Sequence, residues 1–146
     1  MLSQTAQYAL RGLVYVAEHG VDAPVLAEEI AKKTGVPRQY LSSILRKAVR
    51  AGLLKSTRGK GGGFQLARAR SRIRLLEVLR LFDDVVARAA CPFGQARCSD
   101  ENPCIFHDYW KPVATAYGAM LESTTLEDVV LSGRKAGRVG RSRRRT

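Results

Sequence analysis

The sequence predicts a mostly α-helical chain with one small β-hairpin, a winged helix-turn-helix followed by a long amphipathic helix. Three observations carry that reading. Two short apolar-periodic helices meet at the breaker Thr34-Gly35-Val36-Pro37. Two short strand patterns flank the turn Arg58-Gly59-Lys60-Gly61-Gly62-Gly63, whose glycines permit positive φ. A further apolar periodicity, from Tyr109 to Ser123, places Trp110, Val113, Ala114, Tyr117, Met120 and Leu121 at three- and four-residue steps.

Each element has its own signal. Ser3 or Thr5 caps a first helix running to about Glu18, with Ala6, Ala9, Leu10, Leu13, Val14 and Ala17 as one apolar stripe. Gly20 ends it, and His19 is read as a solvent-facing residue at the helix end. The second helix spans Val25 to Lys33. The third starts at about Pro37, where proline suits a first turn, and stops at Gly52. Its inward face reads Tyr40, Leu41, Ile44, Leu45 and Ala48. A glycine-containing turn between two short helices makes a helix-turn-helix, whose second helix enters the major groove. The outward residues suit that task. Arg38 is matched to guanine and Gln39 to adenine, while Ser42 and Ser43 let the backbone approach. Arg46, Lys47 and Arg50 are better placed for phosphates, and Tyr40 completes the contact set.

Leu53–Thr57 and Phe64–Leu66 pair as a wing with Arg58, Gly59, Lys60 and Gly61 at its tip, suited to a sugar-phosphate wall or a minor groove. A glycine-rich nucleotide loop is the rival. It requires Lys-Ser/Thr after the glycines, or a helix starting at them, and neither is present. A fourth helix is expected over Arg74 to Ala87. The Tyr109–Ser123 helix must take Pro112 into its first turn or kink there. Thr124 or Thr125 caps a short last helix, Leu126 to Leu131, and Gly133 ends the ordered part.

Charge is distributed unevenly along the 146 residues. Residues 1–75 hold 14 Lys/Arg against 4 Asp/Glu, residues 76–133 hold 4 against 9, and residues 134–146 hold 7 against none. This divides the chain into a basic reader (1–75), a middle segment (76–133) and a basic tail (134–146) expected to be disordered. A basic first half is what a phosphate backbone attracts. No apolar run approaches the ~18–20 residues of a membrane span. The N-terminus lacks a signal-peptide pattern, so the expected compartment is the cytoplasm, with thiols reduced.

All three cysteines fall in one stretch, Cys91 to His107, C-P-F-G-Q-A-R-C-S-D-E-N-P-C-I-F-H. Three thiols and an imidazole within a loop of Pro, Gly, Ser, Asp and Asn make a potential four-ligand soft-metal site from Cys91, Cys98, Cys104 and His107. Zinc is one occupant, although only Cys104 and His107 have the spacing typical of a structural zinc pair. Buried, inert thiols are the bland reading, and the polarity of the loop argues against it. A zinc deaminase lacks its H-x-E, and a cysteine hydrolase needs Cys and His together in a substrate cleft.

The wing R-G-K-G-G-G-F-Q-L-A-R, the following I-R-L-L-E-V-L-R-L-F-D, the three-cysteine loop and the N-terminal Q-Y-A-L-R-G-L-V-Y-V-A together resemble the IscR/NsrR-type regulators, the Rrf-two family, over about residues 1–132. The resemblance implies a transcriptional regulator, typically a repressor, that binds palindromic promoter DNA as a homodimer paired through the helix after the cysteines. It also implies an iron–sulfur cluster, 2Fe–2S favoured and 4Fe–4S possible, on Cys91, Cys98 and Cys104. In one branch a histidine three residues after the last cysteine is the fourth ligand, here His107. In the nitric-oxide-sensing branch an aspartate serves at the position of Gln7, which supplies no carboxylate. The implied signal is redox state, nitric oxide or iron–sulfur supply. The competing reading of the basic tail is a non-specific nucleic-acid adaptor.

Overall fold

The computed structural model describes residues 2–84 and 91–142. Helix α1 (Gln4–His19) is the central strut, against which four later helices and the wing pack. Ser3 caps it, its hydroxyl accepting from the Ala6 amide at 3.2 Å. The Ser3 amide itself donates to the buried Asp83 carboxylate at 2.6 Å. The predicted stripe is buried at Ala6, Ala9, Leu13 and Ala17, Val16 is buried with it, and Leu10 and Val14 lie at its margin.

Helix α2 begins at Ala27 and runs to Thr34, two residues later than the sequence reading. Val25 is drawn into the sheet instead, exchanging two backbone hydrogen bonds of 2.9 and 2.8 Å with Phe64. That long-range pairing leaves no local signal. Gly35 closes α2 at φ +71°, the left-handed conformation a helix end favours. Helix α3 (Arg38–Arg50) buries Leu41, Ile44, Leu45 and Ala48, as its spacing predicts. Tyr40 departs from the inward face assigned to it. It is 53% exposed and tilts against Tyr8, with ring centres 6.0 Å apart. Gly12 sets how closely α1 and α3 approach, because a Cβ there would lie 3.1 Å from Leu41 Cδ1.

The wing is antiparallel, β1 (Leu54–Thr57) against β2 (Gly63–Leu66), in register from Leu54↔Leu66 to Thr57↔Gly63. Its glycines divide into two kinds. Gly59 and Gly61 have φ of +89° and +76° with open space around them. Gly62 leaves no room, since a Cβ there would meet the Thr57 carbonyl oxygen at 2.2 Å.

After a short 3-10 turn (Arg70–Arg72), helix α4 covers Leu75–Arg80. It stops short of the predicted Ala87. Leu81, Phe82 and Asp83 bond back to Val78 and Leu79 in a last turn, and the Asp83 carboxylate accepts from the amide of Ser3, which caps α1. The predicted residues 85–87 lie outside the described residues. Helix α5 (His107–Ser123) starts two residues before Tyr109, so Pro112 falls in the second turn rather than the first. Helix α6 (Leu126–Ser142) extends past the predicted stop at Gly133. Residues to Arg134 are supported from α1, where Arg134 Nε lies 3.6 Å from Glu18. Thr125 and Asp128 cap α6 reciprocally. Thr125 N–H donates to Asp128 Oδ2 at 2.8 Å, and Asp128 N–H donates to Thr125 Oγ1 at 3.2 Å. The α5–α6 turn is stitched to the start of α4 by Leu75 N–H to Thr124 O and Leu126 N–H to Ile73 O, both 2.9 Å. One buried cluster therefore joins α1, α3, α4 and α6.

Candidate nucleic-acid interface and metal centre

The α1–α3 core turns the polar side of α3 to solvent. Arg38, Gln39, Tyr40, Ser43 and Arg46 are exposed, and Ser42 is half-buried with its hydroxyl donating to the Arg38 carbonyl at 3.0 Å. Arg38 also lies 3.6 Å from Glu28 on α2, a mutually exposed pair. Such pairs contribute roughly 0–1 kcal/mol, so DNA phosphates or bases can displace Glu28 cheaply. Lys47, read from the sequence as better placed for phosphates, is exposed on this helix. Its ammonium sits over the Phe82 ring, 5.4 Å from the centroid. Arg58, Gly59, Lys60 and Gly61 form an exposed wing tip. The third helix and the wing thus carry an uncovered cationic surface fit for a duplex.

The cysteine loop is brought together as two couples. Cys91 and Cys104 Sγ atoms lie 3.0 Å apart, and Cys98 Sγ lies 3.3 Å from His107 Nδ1. Among the described residues, no group of three His, Cys, Asp or Glu stands as a ready cage for a metal ion. The four residues singled out from sequence are therefore gathered pairwise. Backbone turns shape the loop: Gly94 N–H bonds to Cys91 O and His107 N–H to Cys104 O. Cys91 is buried, and Cys98 and Cys104 are partly so. Hydrogen bonding with Cys104 lowers the Cys91 thiol below its ordinary range, and the same contact raises that of Cys104.

Two residues that the sequence reading passed over complete the site. Asp100 Oδ1 accepts from His107 Nε2 at 2.8 Å, and Lys111 donates to both Asp100 oxygens at 2.6 Å. The Lys111 ammonium first, then the imidazole, hold the Asp100 carboxyl below the usual range. The signal for Lys111 was its position four residues after His107, on the same helix face. Asp100 had no local signal.

The donor set fits a soft metal or an iron–sulfur cluster in kind, as three thiols and an imidazole whose outer nitrogen is already engaged by a carboxylate. Cys98, His107 and Asp100 also align as thiol, base and orienting acid. A hydrolase needs a substrate cleft beside such a row. Among the described residues, one cleft of about 400 Å³ opens beneath the wing and another of about 390 Å³ beside α1.

Residues 2–132 match the family described as Rrf2, Iron-dependent Transcriptional regulator. An HTH-type transcriptional regulator of Aquifex aeolicus is 32% identical over 132 residues, covering 89% of this chain and 91% of that protein. The HTH-type transcriptional regulator IscR of Xenorhabdus nematophila is 30% identical over 129 residues, covering 88% and 78%. Among solved structures, CymR (YrzC), the global cysteine regulator of B. subtilis, superposes with a TM-score of 0.75 at 23% identity, covering 90% of this chain and 97% of that one. T. potens IscR gives 0.73 at 24% identity, covering 93% and 90%. The structural likeness establishes a winged-helix fold. The sequence relatives are transcriptional regulators and not enzymes. No helix among the described residues is long and apolar enough to cross a membrane.

Proposed function

The chain belongs to the Rrf2 family of DNA-binding transcriptional regulators, and from that premise we propose that an iron–sulfur cluster on Cys91, Cys98, Cys104 and His107 sets how tightly a homodimer grips promoter DNA. The observation that carries this reading is the Cys98–His107 couple. Asp100 accepts a hydrogen bond from Nε2–H, which leaves the lone pair of the other imidazole nitrogen facing a thiol. Cysteine regulation is what the CymR description attributes to that protein. This chain's three clustered thiols and buried imidazole support a cluster instead.

A redox-active, labile centre is what an iron–sulfur cluster supplies when bound. The chain's own residues do the rest. Arg38, Gln39, Tyr40, Ser42, Ser43 and Arg46 read the major groove, and Arg58, Gly59, Lys60 and Gly61 brace the wing on the backbone. Helix α5 leaves Tyr109, Val113 and Met120 exposed at 74, 50 and 43%. An apolar face of this kind on a long helix suits a second copy of the chain. His107 is the first residue of α5, so whatever orders the loop also biases that helix. On the other side, Phe82 and Asp83 touch Lys47 of α3 and Ser3 of α1. Movement at the loop is thereby communicated to the spacing of two recognition helices, whose half-sites lie about 34–36 Å apart.

Protein purified without oxygen is expected to be brown, with charge-transfer absorption and acid-labile sulfide. Alanine at Cys91, Cys98 and Cys104 together should remove the colour and change promoter affinity. A triple variant that holds the promoter as tightly as the cluster-loaded protein refutes the proposal. A colourless protein with one zinc per chain transfers the site to structural zinc.

A further inference from the structure

We infer that Nδ1 of His107 is the ligand atom and that Asp100, braced by Lys111, is the positioning residue that keeps it so; this rests on the cluster reading above. A carboxylate only accepts hydrogen bonds, so the 2.8 Å contact places the hydrogen on Nε2. A neutral imidazole carries one N–H, and the lone pair is then on Nδ1, the atom 3.3 Å from Cys98 Sγ.

Lys111 makes the arrangement a device rather than a chance contact. It follows His107 by one helical turn, and its ammonium lies 2.6 Å from both Asp100 oxygens. The carboxylate is therefore clamped from the helix that carries the histidine. The imidazole is 8% exposed, whereas the Asp100 and Lys111 side chains are 67 and 51% exposed. As a plain surface ion pair, Asp100–Lys111 would matter little to the fold. As an outer partner of a ligand it matters to the centre, where removal of such partners typically costs about 10–100-fold in metal affinity.

The test uses the full chain reconstituted anaerobically with its cluster, made with histidine carrying ¹⁵N at Nδ1 or at Nε2. The chain holds two histidines, and the second, His19, is exposed and packed on Tyr15 with ring centres 4.3 Å apart. Strong ¹⁵N coupling in pulsed EPR of the reduced cluster therefore reports His107. The expected result is strong coupling from the Nδ1 label alone. Asp100→Ala should lose its cluster to a chelator about 10–100-fold faster than wild type and admit coupling from the Nε2 label. Asp100→Asn, which keeps an oxygen acceptor and the shape, should fall between, and it carries the test if the alanine variant folds poorly. Strong wild-type coupling through Nε2 overturns the inference, as does cluster loss at the wild-type rate in both Asp100 variants. Either outcome leaves the cluster reading standing. A wild-type protein that takes up no cluster, or shows no histidine coupling from either label, overturns the cluster or His107 assignment itself.

Discussion

The reader and the cysteine loop are held by different physics. From Ala6 to Leu79 the shape comes from fully buried aliphatics such as Leu13, Ile30, Leu41, Leu45 and Leu79. Between 91 and 106 no helix or strand forms, and among those residues only Cys91 is buried. There, side-chain couples between the site residues take the place of a core. A core confers one rigid arrangement, since packed interiors tolerate little displacement. A loop held by side-chain couples changes shape when those couples change. The contrast suits the regulator proposed above, whose groove-reading surface would stay constant while the loop responds.

The contrast predicts opposite responses to truncation. Leu41→Ala, at a fully buried site between α1 and α3, should cost about 2–5 kcal/mol in urea or guanidinium unfolding. Alanine at all three cysteines should change the stability of the metal-free chain by less than about 1 kcal/mol. Equal losses in the two variants would erase the distinction. Next in size is the wing. Gly62→Ala forces a Cβ onto the Thr57 carbonyl and should cost about 1–3 kcal/mol, with faster amide exchange across Leu54–Thr57. Gly62→Ala with unaltered exchange would show that the wing yields more easily than its packing implies.

Arg38→Ala sharpens the comparison from the DNA side. It should weaken discrimination at one operator base pair by about 1–3 kcal/mol while leaving unfolding nearly unchanged. Uniform weakening across all sequences in a binding titration would demote Arg38 to a phosphate contact.

The smallest expected effect lies in the cap of α6, where Thr125→Ala should cost about 1 kcal/mol. Hydrogen bonds from the Thr125 amide, then its hydroxyl, hold the Asp128 carboxyl below its ordinary value. Its stabilisation is therefore complete above the unfolded carboxylate pKa of about 3.9 and is lost as pH falls through the lower folded value. Acid unfolding of Asp128→Asn should show a shallower slope in that window, and an unchanged slope would remove the cap from the acid response.

Much of the reader was legible in order along the chain. The stripe of α1, the Gly35–Pro37 turn, the inward face of α3 apart from Tyr40, and the pairing of the two wing strands follow from local periodicity and turn chemistry. Tyr40 was misassigned because its spacing matches the apolar stripe, while its actual neighbour, Tyr8, belongs to another helix. Val25 pairs with Phe64, 39 positions away, and the Asp83 carboxylate accepts from Ser3, 80 positions away. The four residues proposed as ligands were visible as a cluster of residue types. Asp100 was not, because the loop conformation alone brings it to His107, and Lys111 had only its one-turn spacing from His107, since neither residue type marks a metal site.

By itself, the sequence determined the periodic elements, the uncovered basic face of α3 and the donor set of the loop, because each depends on residues within a few positions of one another. Only the tertiary structure decided which sulfur lies beside which partner, which imidazole nitrogen faces Cys98 and which faces Asp100, and how α4 and α6 close on α1. Those outcomes depend on long-range contacts, and a contact between distant positions acquires its energy only after the chain has folded to bring them together.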